Sequence, residues 1–155
     1  MPDERCNPDH MKVIEPSTAA EYQCYYKLRW KILRSPWQQP RGSEKDELEQ
    51  SSHHLMIVDA NHAVIAVGRL HFNSIREAQL RYMAVATAQQ RRGAGTLLLQ
   101  ALEHKATGLG AEYIVLDARE HALRFYHKQG YQAEGPADTL FKIIPHIRMR
   151  KKITP

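Results

Sequence analysis

The stretch that most limits how this chain can fold runs from about residue 78 to 118. "AQLRYMAVA" (78–86) reads as a strand and "GAGTLLLQALEHKAT" (93–107) as a helix. "EYIVLDA" (112–118) reads as a second strand, rich enough in apolar and β-branched residues to be covered on both faces. Two strands joined through a helix of this length lie parallel, with a right-handed crossover. The junction of the first strand with the helix holds Gly93 and Gly95, preceded by Arg91 and Arg92. The first N–H groups of a helix have no intrahelical partner, and glycine lets another group approach the backbone. The junction is therefore a ready site for an anion.

Three readings of that turn compete. A nucleotide-hydrolysis loop needs Gly-Lys-Ser/Thr at its end, but Thr96 and Leu97 follow Gly95. A dinucleotide fingerprint needs a third glycine at position 98, where the chain has Leu98. The third reading is a turn that only lets helix and strand pack closely. The formal net charge of +5 favours an anionic ligand without choosing among nucleotide, nucleic acid and acidic protein.

The chain has 155 residues, enough for one ordinary domain spanning 1–155 with a polar, disordered start over 1–10. "MKVIEP" (11–16) is a short strand. A helix follows over 17–33, with Ser17 as its N-cap and Tyr22, Tyr25, Tyr26, Arg29, Ile32 and Leu33 recurring at three- and four-residue steps. Residues 35–52 form a long loop with a run of acidic residues from Glu44 to Glu49. A hairpin spans 54–72 and turns at Asp59–His62. The crossover helix presents Leu98, Ala101, Leu102 and Lys105 on one stripe and stops at Gly108 or Gly110. A second helix covers 119–130, and two strands finish the chain, with Pro145 at an edge or bulge. The predicted order is β-α-β-β-β-α-β-α-β-β, a mixed α/β sheet with one parallel pair.

Two cysteines, Cys6 and Cys24, make no disulfide framework, and nine scattered histidines show no metal-ligand spacing. No metal is expected. No run approaches the ~20 apolar residues of a membrane helix, and the polar N-terminus is unlike a signal peptide. The expectation is a cytoplasmic protein.

"QRRGAG" (90–95) matches the Q/R-x-x-G-x-G/A signature of the GNAT superfamily of acetyl-CoA-dependent N-acetyltransferases. "LRYMAV" resembles the strand before that signature, and "AREHALRFYHKQGY" (118–131) resembles the family's later A-x-x-F-Y-x-x-x-G-F/Y segment. "RWKILRSPWQQPRGSEKDELE" and "DTLFKIIPHIRM" are similar to the ElaA-like branch. The resemblance covers most of the chain. It implies the acyl-CoA N-acyltransferase fold, with a central sheet and a splayed parallel strand pair. It implies acetyl-CoA as co-substrate, its pyrophosphate cradled by the backbone of Arg91, Arg92, Gly93, Ala94, Gly95 and Thr96. Met83, Ala84 and Val85 would offer backbone groups to the pantetheine arm, beside a bulge.

The reaction implied is direct attack of an amine on the thioester. Tyr126 matches the family position that protonates the departing thiolate. Arg119 stands where many members have asparagine, a departure that touches cofactor contacts. The base that takes the amine proton is open among His71, His146, Glu44, Asp46, Glu47 and a water chain. His71 and His146 are also candidates to line the acceptor side. The acceptor is a small-molecule amine or a protein amine, which the acidic cluster Glu44–Glu49 could attract. Two other readings remain: an acetyl-CoA sensor without turnover, and a nucleic-acid-associated protein using Arg91, Arg92 and "KIIPHIRMRKK". The basic tail has few aromatics for stacking, which disfavours nucleic acid. An exposed edge of the last strands offers a homodimer contact.

Overall fold

The computed structural model describes residues 10–153, so the expectation for the first ten residues falls outside them, His10 aside. The elements are β1 (Lys12–Ile14), α1 (Ala19–Leu33), β2 (His53–Val58), β3 (Val64–Phe72), β4 (Glu77–Val85), α2 (Ala94–Gly108), β5 (Tyr113–Arg119), α3 (Leu123–Lys128), β6 (Gln132–Pro136) and β7 (His146–Lys152). This is the order read from the sequence. The strands form a seven-stranded sheet ordered β1-β2-β3-β4-β5-β7-β6, in which β4 and β5 are the parallel pair. The chain packs as two compact units, residues 10–70 with 82–102 and residues 71–81 with 103–153.

In the first unit, β1 and β2 pair antiparallel, as do β2 and β3. The hairpin turns where expected, with Asp59 N–H bonded to Ala63 O at 3.0 Å. The cap of α1 differs from expectation. Thr18, not Ser17, is the N-cap, and its hydroxyl accepts from Glu21 N–H at 3.1 Å. Glu21 reaches back to accept from the N–H groups of Thr18 and Ser17, completing a capping box. The buried residues of α1 are Tyr25, Leu28 and Arg29. Tyr25 and Leu28 join Met56, Val58, Val67 and Ala84 in one apolar cluster, with Tyr22, Tyr26, Ile32 and Leu33 partly buried against it. Each large side chain buried this way contributes roughly 1.5–3 kcal/mol.

The crossover helix buries Leu98 and Leu102 of the predicted stripe together with Leu99 and Ala106, while Ala101 and Lys105 are half-buried at its border. α2 ends at Gly108, and Gly110 takes the left-handed conformation (φ +98) that lets Ala111 N–H bond back to Ala106 O.

In the second unit, β4 and β5 pair from Glu77↔Tyr113 to Leu80↔Leu116. β7 pairs with β5 along its full length and with β6 on its other edge. The predicted second helix is shorter than its pattern. Arg119 is the last residue of β5, Glu120–Ala122 form a 3-10 turn, and α3 proper begins at Leu123. Pro145 lies just before β7 rather than in it. The basic end of the chain is laced to carboxylates. Arg148 Nε meets Asp117 at 2.6 Å, Arg150 meets Glu134 and Glu77 at 2.6 and 2.9 Å, and Lys151 meets Glu103 at 2.9 Å.

Candidate active site

β4 carries a distortion two residues after its ladder with β5 stops. Tyr82 has φ +59, a left-handed conformation that is an outlier for a bulky side chain. Such residues cost on the order of 1–3 kcal/mol and persist only where the surroundings hold them. Here the holders are explicit. The guanidinium carbons of Arg29, Arg69 and Arg34 lie 4.5, 4.8 and 5.7 Å from the Tyr82 ring centroid. The phenol donates to Asp46 Oδ2 at 3.2 Å. Beyond the distortion come Met83, Ala84 and Val85, with Ala84 buried and its neighbours half-buried.

The acidic loop is not a solvated patch. Asp46 takes a fork from Arg69, Nη1 to Oδ1 at 2.6 Å and Nη2 to Oδ2 at 3.0 Å. Glu49 accepts from Arg29 at 2.9 Å and from Arg69 at 2.6 Å. Glu44 is buried, with its carboxylate on Gly42 N–H at 2.7 Å and its carbonyl on Arg29. Only Glu47 is exposed. The picture of an open acidic cluster drawing in a cationic amine is therefore corrected: Asp46 and Glu49 are committed to two fully buried arginines and Glu44 to a backbone N–H, which leaves Glu47 alone facing solvent. Arg29 also donates to Tyr25 Oη at 2.8 Å, and Tyr25 Oη lies 2.8 Å from His54 Nδ1. His54 Nε2 meets Glu49 O at 2.7 Å, and a carbonyl only accepts, so Nε2 carries the proton. Burial, first, and the Arg29 charge pull the His54 pKa below the usual histidine range, although the Glu49 carbonyl bond opposes them. A recess of about 300 Å³ beside this network is lined by Tyr22, Tyr26, Glu49, Gln50, Ser52 and His54. Its one carboxylate is the one already shared by two guanidinium groups.

The glycine turn follows a 3-10 turn over Thr87–Gln89. Arg91 has φ +66 and Gly93 φ +89, so the chain enters α2 through left-handed residues. Leu97 N–H bonds to Gly93 O at 3.0 Å, leaving the N–H groups of Ala94, Gly95 and Thr96 in the unpaired first turn. Ala94 is buried, Gly95 and Thr96 are half-buried, and Arg91, Arg92 and Gly93 are exposed. Neither arginine bonds to another described residue, so both side chains are available to an anion at the helix start.

In the other unit, Tyr126 is half-buried on α3. Its ring lies edge-on to Phe125 at 5.1 Å and to Tyr131 at 5.8 Å. Desolvation pushes its phenol up to about 12. His71 is buried with Nε2 on Asn73 Oδ1 at 3.2 Å. His146, at the start of β7, is the register partner of Arg119 at the end of β5. Among the described residues, no three His, Cys, Asp or Glu side chains gather as a metal site. None of the described helices is long and apolar enough to cross a membrane.

Comparison with known proteins bears directly on this arrangement. Residues 22–131 match the family model described as acetyltransferase (GNAT) family. The chain belongs to that family. An uncharacterized N-acetyltransferase of Bacillus subtilis, YjcF, is 28% identical over 141 residues, covering 91% of this chain and 99% of its own. Escherichia coli ElaA superposes with a TM-score of 0.74 at 17% identity, over 92% of this chain and 98% of ElaA. A GNAT family acetyltransferase of Elizabethkingia anophelis, solved with acetyl-CoA bound, has a TM-score of 0.74 at 18% identity, over 93% of this chain and 99% of its own. The two structures share the fold with this GNAT chain.

The sequence reading of this N-acetyltransferase located the glycine turn, the strand before it and the Phe-Tyr helix. It missed Arg69, Tyr82 and His54, and it treated Arg29 only as one member of a helical stripe. Arg29 was the available signal: an arginine among tyrosines on an apolar stripe needs buried acceptors, and the nearest acidic run is 44–49.

Proposed function

We propose that this protein transfers the acetyl group of acetyl-CoA to a primary amine by direct attack on the thioester. The observation that carries this reading is the glycine turn, where unpaired N–H groups of Ala94, Gly95 and Thr96 lie beside two unengaged arginines. A pyrophosphate suits that site, and the helix dipole adds roughly 0.3–1 kcal/mol. The backbone of Met83, Ala84 and Val85 would receive the pantetheine arm, and Arg119 would contact the cofactor in place of asparagine. The acetyl-CoA-bound relative supports the choice of this anion.

The acceptor must present a neutral nitrogen, although a free alkylamine has a pKa of about 10.4. Its nitrogen forms the new C–N bond as the C–S bond breaks, and the departing sulfur needs a proton. Tyr126 is the donor in this reading. With its phenol raised to about 12 it stays protonated across the working pH range, and it hydrogen-bonds to the sulfur as negative charge builds there. The acceptor is a small amine or a protein lysine, met by a cytoplasmic protein. The basic end of the chain is bound to its own carboxylates, which weighs against a nucleic-acid role.

Calorimetric titration with acetyl-CoA tests the reading. Binding is expected for wild type and Tyr126→Phe and is expected to be lost in Gly93→Asp. With any amine that supports thiol release, Tyr126→Phe should lower kcat by roughly 10²–10⁴. Binding without thiol release across an amine panel would favour a sensor module. No acetyl-CoA binding by folded wild-type protein would end the transferase reading.

A further inference from the structure

His146 is set apart from the other described histidines that face protein partners. Its Nδ1 lies 3.1 Å from Ile144 O and 3.2 Å from Asp138 O. Both partners are carbonyls and can only accept, so Nδ1 carries the hydrogen and Nε2 carries the lone pair in the neutral ring. Among the described residues, Nε2 meets no hydrogen-bond partner. The other histidines near the site are committed, His71 Nε2 to Asn73 and His54 on one side to Tyr25 and on the other to Glu49 O, while Glu47 is exposed on its loop with no strand or helix to position it. The carboxylates of Asp46 and Glu44 are occupied by Arg69, Tyr82 and backbone N–H groups.

The placement of His146 matters as much as its tautomer. The parallel ladder of β4 with β5 ends at Leu80↔Leu116. β5 continues for three residues, paired with β7 as Asp117↔Arg148, Ala118↔Ile147 and Arg119↔His146. His146 thus stands beside the carboxyl end of a parallel strand, past the point where its parallel partner has left it. In open α/β sheets that is where ligands bind. The chain runs from Arg119 through a 3-10 turn directly into the helix that carries Tyr126. The backbone of His146 is held on both sides, by Arg119 in the ladder and by Ala137 N–H on its own carbonyl at 2.8 Å.

From this we infer that His146 Nε2 is the general base of the transfer reaction. Nε2 takes a proton from the ammonium form of the acceptor, and the freed nitrogen bonds to the thioester carbon and loses its second proton to solvent. The C–S bond breaks, the thiolate takes a proton from Tyr126, the Tyr126 phenolate regains one from solvent, and the His146 imidazolium returns its proton to solvent. The fixed Nδ1–H bonds stabilise the imidazolium and hold the ring in one orientation. This assignment rests on the proposed acetyl-CoA activity.

Two measurements test it. The first is the ¹⁵N imidazole spectrum of labelled protein near neutral pH, free, with CoA and with acetyl-CoA. The expected result is the Nδ1–H tautomer for His146, with an Nε2 signal that differs between the CoA and acetyl-CoA complexes. An Nε2–H tautomer overturns the assignment. So does an unmoved His146 signal while the Gly93 and Thr96 amides shift, because the cofactor then binds and the activity reading survives. The second compares thiol release from acetyl-CoA with ethylamine and with hydroxylamine, two small nucleophiles. Ethylamine is mostly protonated at neutral pH, whereas hydroxylamine is a weak base that arrives neutral. His146→Gln should cut the ethylamine rate by roughly 10²-fold or more and leave the hydroxylamine rate within about threefold. Equal loss with both nucleophiles, or wild-type release with hydroxylamine only, overturns the base. No release with either, together with no shift of the glycine-turn amides, overturns the activity reading instead.

Discussion

Arg69 and Asp46 meet as a two-pronged pair, with guanidinium nitrogens 2.6 and 3.0 Å from the two carboxylate oxygens. Arg69 belongs to β3, Asp46 to the loop between α1 and β2, and the pair fixes that loop on the strand. Arg69 also holds Glu49 and lies over Tyr82, so one fully buried side chain secures the acidic loop and the left-handed residue of β4 together. Replacing it with Met takes the guanidinium from two largely buried carboxylates, Asp46 and Glu49, of which Glu49 keeps Arg29 at 2.9 Å. Removing one partner of such a group costs about 3–5 kcal/mol. Urea unfolding of Arg69→Met should show a loss of that size. Arg69→Lys keeps the charge but not the fork and should fall between. A loss under 1 kcal/mol for Arg69→Met would mean that the cluster is solvated in solution.

Gly93 and Gly68 respond to the same substitution for different reasons. Gly93 has φ +89, and a Cβ there would meet nothing within 4 Å, so only backbone strain opposes alanine. That strain is about 1–2 kcal/mol. Since it falls on the anion turn, Gly93→Ala should weaken acetyl-CoA binding more than it lowers global stability. Gly68 has no such φ. Its Cβ would meet Leu102 Cδ1 at 2.8 Å, Met83 Cγ at 3.2 Å and Leu98 Cδ2 at 3.3 Å. Gly68→Ala overpacks a buried contact and should cost roughly 1–3 kcal/mol. Thermal unfolding beside acetyl-CoA titration separates the two. Equal effects of both variants on stability and on binding would contradict the assignment.

What the sequence disclosed follows from how local each feature is. The strand–turn–helix–strand order is written in periodicity and in glycine positions, and both survive without knowledge of distant partners. The start of α1 is read one residue early with Ser17 as its cap, although Glu21 stands at the capping-box distance from Thr18 and not from Ser17. The left-handed Tyr82 was not legible. "LRYMAV" holds no glycine or asparagine to announce it, and the groups that hold it come from residues 29, 34, 46 and 69. Residues 44–49 misled for the same reason, because an acidic run reads as solvated until the arginines beneath it are located. The helix over 119–130 was overextended because Arg119 fits both the helical stripe and the end of β5. Its ladder partner is His146, 27 residues further along the chain.

The α1 cap predicts an acid-side dependence of stability. The Glu21 carboxylate accepts from the N–H groups of Ser17 and Thr18 and meets His62, which together hold its pKa at about 2. A carboxylate whose folded pKa is depressed stabilises the fold above its unfolded value. That contribution is lost as pH falls from about 4.3 through the folded value. Stability should therefore decline between about pH 4.3 and 2, and the decline should be shallower in Glu21→Gln, which cannot titrate. Thr18→Ala removes the other half of the box at any pH and should cost about 1 kcal/mol. Denaturant titrations at several pH values check both. An unchanged slope in Glu21→Gln would assign the acid dependence to other carboxylates.

His54 predicts a second dependence, nearer neutrality. Its pKa is lowered chiefly by burial, and its Nδ1 lone pair is the acceptor facing the Tyr25 hydroxyl at 2.8 Å. The unfolded chain binds a proton at this residue below about pH 6.5, while the folded chain resists it. The unfolded state therefore holds more protons as pH falls through that value, and stability falls with it. Protonation would also place an N–H against Tyr25 Oη, which already accepts from Arg29, and would leave the phenol with only Gly68 O at 3.1 Å as its acceptor. Unfolding free energies at pH 7.5, 6.5 and 5.5 should decrease in wild type. In His54→Gln the same decrease should be smaller, because glutamine keeps polar atoms at the site without titrating. If the imidazole titrates in the folded protein at or above its ordinary value, as read by NMR, the buried neutral assignment fails and the Tyr25–His54 bond must run in the opposite direction.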